Sequence, residues 1–96
     1  GNYAQAAATA RALMQRRSLS PEAEAQMHRV AGEGLFRSGS SSEGLRELRA
    51  YLVAVKDPAP EACYFAGLGE YDDGNYAEAV ALLDKATASG DPAVVQ

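Results

Sequence analysis

Ala31-Gly32-Glu33-Gly34 and Ala66-Gly67-Leu68-Gly69 lie 35 residues apart, and the chain around them falls into the same register. At that shift Phe36 meets Tyr71, Gly39 meets Gly74, Glu43 meets Glu78 and Leu48 meets Leu83. Asp57-Pro58 and Asp91-Pro92 recur 34 residues apart. A third copy opens the chain, where Gly1-Asn2-Tyr3-Ala4-Gln5-Ala6-Ala7 resembles Gly74-Asn75-Tyr76-Ala77-Glu78-Ala79-Val80. It starts 38 rather than 35 residues before Gly39, so about three extra residues belong to the next loop or first helix. Self-similarity at this period is the mark of stacked supersecondary units.

Local punctuation assigns the elements. Ser20-Pro21-Glu22 reads as an N-cap, a proline at the first helical position and an early acid. Ser40 with Glu43, and Asn75 with Glu78, have the spacing of a cap and a reciprocating acid. Gly39, Gly74 and Gly90 sit where helices end, because a left-handed residue there costs glycine little. Asp57-Pro58 and Asp91-Pro92 mark breaks. The reading predicts five helices, at about 2–17, 21–38, 41–55, 60–73 and 75–89, joined by short connections that favour antiparallel neighbours.

Composition agrees with close-packed helices. Twenty of the 96 residues are alanine, there is no tryptophan, and aromatics make up 7%. Alanine favours helix and is poor in strands. A net charge of −4 disfavours a phosphate-backbone binder. Residues 1–57 carry eight basic and six acidic side chains; residues 58–96 carry one and seven. The apolar runs are too short for a membrane span. One cysteine, Cys63, forms no internal disulfide and so specifies no compartment.

The small residues at 31–32 and 66–67 remove bulk where two helix axes should meet. Ala79 and Ala86 do the same for the opposing face, with Leu83 as the knob between them. Phe36 and Tyr71 are expected to fill the space near each turn. Gly44, a glycine inside a helix, costs helix stability of about 1 kcal/mol relative to alanine.

The stretch from Ala66-Gly67 through Tyr71, Gly74-Asn75-Tyr76, Ala79, Leu83 and Ala86 to Asp91-Pro92 resembles the tetratricopeptide repeat family. The resemblance covers the chain as a half repeat (1–18), two repeats (20–57 and 58–91) and a stub (92–96) of one domain. It implies an all-α superhelical solenoid of helical hairpins whose first helices line a concave groove for a peptide or protein segment. It implies no catalytic residues and no cofactor. Groove positions carried over are Arg29, Val30, Glu33 and Arg37 in one repeat, and Glu61, Tyr64, Phe65, Leu68 and Asp72 in the next. Tyr64, Phe65 and Leu68 would form an apolar strip, rimmed by Arg29 and Arg37 on one side and Glu61, Glu70 and Asp72 on the other. The lysine and asparagine set with which some members clamp a C-terminal carboxylate is missing.

Other chemistry is weak. His28 and Cys63 hold equivalent places in consecutive repeats, but a nucleophile pair or metal site needs further ligands, so packing between helices is the better reading. Asp72-Asp73-Gly74-Asn75 lacks the alternating ligands of a calcium loop and reads as a turn. Arg16-Arg17 suits a helix C-terminus.

Helix 75–89 has one polar stripe and much apolar surface, part of which is expected to be covered by a second copy or by further repeats. The expected function is a non-catalytic protein-interaction scaffold. The alternatives are a self-assembly module using apolar end faces, and an accessory domain of a larger enzyme or secretion-related protein.

Overall fold

The computed structural model describes residues 2–16 and 19–88. The expected features at Gly1, Arg17, Ser89, Gly90, Asp91-Pro92 and residues 92–96 lie outside the described residues. The protein is all-α. Its helices are α1 (Tyr3–Arg16), α2 (Pro21–Arg37), α3 (Ser41–Ala54), α4 (Pro60–Asp72) and α5 (Tyr76–Ala88), with no strand among the described residues. Two compact units are present, Gly1–Lys56 and Asp57–Gln96, divided one residue before the expected repeat boundary.

In the first unit α2 packs on both α1 and α3; in the second, α4 packs on α5. The hairpins α2–α3 and α4–α5 turn by the same hydrogen bonds. The amides of Ser38, Gly39 and Ser40 donate to the carbonyls of Gly34, Phe36 and Leu35 at 3.0, 3.2 and 2.8 Å. Thirty-five positions on, those of Asp73, Gly74 and Asn75 donate to Gly69, Tyr71 and Glu70 at 3.0, 3.0 and 2.8 Å. Gly39 (φ 94°) and Gly74 (φ 84°) supply the left-handed residue that this ending requires.

The expected glycine-and-knob crossing is present in both hairpins. A Cβ on Gly32 would lie 2.6 Å from Leu48 Cγ, and one on Gly67 would lie 2.8 Å from Leu83 Cγ. Gly44 has a packing role: a Cβ there would stand 2.7 Å from Phe36 Cδ2. Phe36 thus does fill space beside its turn. Tyr71 does not, since it is 60% exposed and makes an edge contact with Tyr76, centroids 5.3 Å apart. The α1–α2 approach depends on Gly34, where a Cβ would meet the Tyr3 carbonyl oxygen at 2.6 Å.

The extra residues before Gly39 are in the helix. α2 has 17 residues and α4 has 13. Ser20 caps α2 as read, its Oγ accepting the Ala23 amide at 3.2 Å. Ser40 makes no side-chain cap on α3. Glu43, the acid expected to reciprocate, instead accepts a hydrogen bond from Arg11.

Candidate functional site

α4 separates its residues by face. Ala62, Cys63, Ala66, Gly67, Gly69 and Glu70 are buried. Glu61, Leu68 and Asp72 are exposed and Tyr64 and Phe65 half-buried. Glu61, Tyr64, Leu68 and Asp72 recur every three or four residues, so they form one stripe along the helix. Tyr64 and Phe65 meet edge to face with centroids 5.7 Å apart. Glu70, expected to rim this strip, lies elsewhere. Glu70 is 5% exposed and accepts a hydrogen bond from the Asn75 side-chain amide at 2.8 Å, so it ties the turn together and does not rim a surface.

On α2, Arg29, Glu33 and Arg37 also share a stripe, but as an internally paired one. Arg29 Nε donates to Glu33 at 2.8 Å, and the Arg37 guanidinium lies over the Tyr3 ring of α1 at 5.3 Å. Such a cation–π contact contributes about 0.5–1 kcal/mol at an exposed site. Val30 points elsewhere. It lines a groove of about 470 Å³ between α1 and α2 with Ala6, Ala10, Leu13 and Met27. A second apolar hollow, between the start of α2 and the end of α3, contains Ala25, Ala50 and Val53, the last 90% exposed. Sequence reasoning proposed neither, because each is set by what two helices leave uncovered.

His28 was expected to be a packing residue and is part of a polar network. Its Nδ1 lies 2.7 Å from Glu47 Oε1, while Glu47 Oε2 accepts from Arg11 Nε at 3.0 Å. Arg11 also donates from Nη1 to Glu43 at 3.1 Å. Three helices are therefore tied through one carboxylate. Desolvation works against the Arg11 charge, but the hydrogen bonds and charges of Glu43 and Glu47 outweigh it and raise its pKa.

Cys63 is a free, buried thiol whose pKa is pushed up by burial, with Lys85 partly opposing. A protonated, inaccessible thiol is the reverse of an activated nucleophile. Among the described residues no group of three or more His, Cys, Asp or Glu could hold a metal ion, and no helix is long and apolar enough to cross a membrane. Comparison with protein-family models, curated proteins and solved structures found no match to this chain.

Proposed function

We propose that the chain is a protein-interaction scaffold of the tetratricopeptide kind, binding a peptide or protein segment on the exposed stripe of its helix α4. The observation that carries this reading is the α4 stripe. Tyr64 and Leu68 keep accessible apolar surface between Glu61 and Asp72, although alanine and glycine fill the buried side of the same helix. Apolar anchors flanked by charge suit an extended or amphipathic segment, and the acidic ends favour one with basic flanks. Catalysis is not part of the proposal.

Panning a random peptide library against the 96-residue chain tests it. Selected peptides should carry an apolar centre with Lys or Arg beside it, and Tyr64→Ala or Leu68→Glu should abolish their binding. Selected peptides indifferent to both substitutions would defeat the reading.

The second reading is self-assembly through α5. Ala79, Leu82 and Ala86 are buried, whereas Tyr76 and Val80 expose 60% and 58% of their surface beside Tyr71. Sedimentation measured over a wide concentration range, with Val80→Glu as the comparison, separates it from the first. Assembly lost in that variant while peptide binding survives would favour this second use.

A further inference from the structure

The 35-residue repeat allows the interiors of the two hairpins to be compared position by position. α2–α3 buries Leu35, Leu45, Leu48 and Tyr51, and seats Phe36 against Gly44. At the matching positions α4–α5 carries Glu70, Val80, Leu83, Ala86 and Tyr71. Leu83 repeats the part of Leu48, meeting Gly67 as Leu48 meets Gly32. The other four contribute less. Val80 and Tyr71 are exposed, and Ala86 is buried but offers a methyl where Tyr51 offers a ring. Glu70 is buried as a polar group tied to Asn75. One exchange runs the other way, since Leu82 of α5 is buried where α3 has Glu47.

The first hairpin therefore holds two further leucines, a tyrosine and a seated phenylalanine against one further leucine in the second. Removing a single large side chain from a core ordinarily changes the folding constant by about thirtyfold or more. In the first unit α1 adds to the difference. Its Ala7 and Ala10 are buried, and its Arg11 reaches Glu43 and Glu47 of α3 while Glu47 also meets His28 of α2. The α4–α5 hairpin ties Asn75 to Glu70 and Tyr71 to Tyr76, both beside its turn.

We propose that Asp57–Gln96 opens as a unit of its own under native conditions, with an opening constant at least about tenfold larger than that of Gly1–Lys56. Opening dissolves the α4 stripe, because only the helix brings Glu61, Tyr64, Leu68 and Asp72 into one line. The folding equilibrium of this hairpin thus gates the stripe, and a partner seated there would stabilise Asp57–Gln96 first. That consequence rests on the peptide-binding reading; the separate opening does not.

Native-state hydrogen exchange of the whole 96-residue chain, read by mass spectrometry across sub-denaturing urea, tests the proposal. Amides at 66–67 and 82–83 should exchange through an opening at least about tenfold more populated than the one exposing amides at 31–32 and 45–48. Leu83→Ala should raise exchange throughout α4 and α5 by about tenfold or more and leave α2 and α3 unchanged. Loss of all protection in α4 and α5 with α2 and α3 still protected would be the same result carried further. Equal opening of the two units, better protection of α4 and α5, or Leu83→Ala accelerating α2 and α3 as much as α4 and α5 would each overturn the proposal. The experiment contains no ligand, so a failed peptide selection leaves its outcome untouched.

Discussion

Gly32 and Gly44 face each other backbone to backbone where α2 crosses α3. A Cβ on Gly32 would lie 3.0 Å from the Gly44 carbonyl oxygen, and one on Gly44 would lie 2.8 Å from that of Gly32. At the matching α4–α5 crossing the second glycine is Ala79, whose carbonyl oxygen stands 3.4 Å from a Cβ on Gly67. The two hairpins share one plan at different closeness.

Gly44→Ala should therefore destabilise the protein. Helix propensity alone would favour alanine by about 1 kcal/mol. The added methyl must displace Phe36 or part the two backbones, a strain of about 1–3 kcal/mol. Urea unfolding of the variant should show a lower midpoint; a higher one would mean that Phe36 gives way freely.

The turns make a second prediction. Gly39 and Gly74 have positive φ and open space around the position of a Cβ, so conformation alone decides the cost of a side chain there. Gly39→Val or Gly74→Val should lose about 1–2 kcal/mol, and the asparagine variants distinctly less, because asparagine tolerates the left-handed region. Thermal melts of the four variants supply the comparison.

Glu47 joins α3 to both α1 and α2, and its side chain is only 14% exposed. Glu47→Ala leaves the Arg11 guanidinium and the His28 ring without that acceptor and should cost about 1–3 kcal/mol. Arg46→Ala, at an exposed position one residue away, should change stability by less than about 0.5 kcal/mol. Equal effects of the two would show that the network contributes nothing.

Cys63 predicts a pH effect. Its folded-state pKa is raised, so the native protein holds the thiol proton more tightly than the unfolded chain does. The associated stability is complete below the ordinary thiol pKa of about 8.5 and is lost as pH rises through the folded value. Cys63→Ala should remove that alkaline component. Ellman's reagent should label the native thiol far more slowly than the unfolded one.

The five helix starts and the ends of α2, α3 and α4 were legible to within one residue because their signals are local: Ser20-Pro21 at a start, Gly39 and Gly74 at ends. The Gly32–Leu48 and Gly67–Leu83 contacts were legible because repetition shows which small residue answers which large one. Glu70 was misread since acids are ordinarily solvated, and only the turn geometry brings Asn75 to it. The Ser40 cap failed to form: Glu43 is drawn to Arg11, 32 residues earlier, a pairing that no local pattern encodes. The α4 positions were carried over from the repeat resemblance, whereas Val30 and the paired arginines of α2 depended on how α1 lies against that helix.

The burial of Tyr51 gives the molecule a built-in optical reporter. With no tryptophan present, near-ultraviolet signals come chiefly from five tyrosines, and Tyr51, at 2% exposure, is the one sealed away from water. Its dichroism should vanish when α3 loosens, which gives a label-free component with which to follow melting of the first unit.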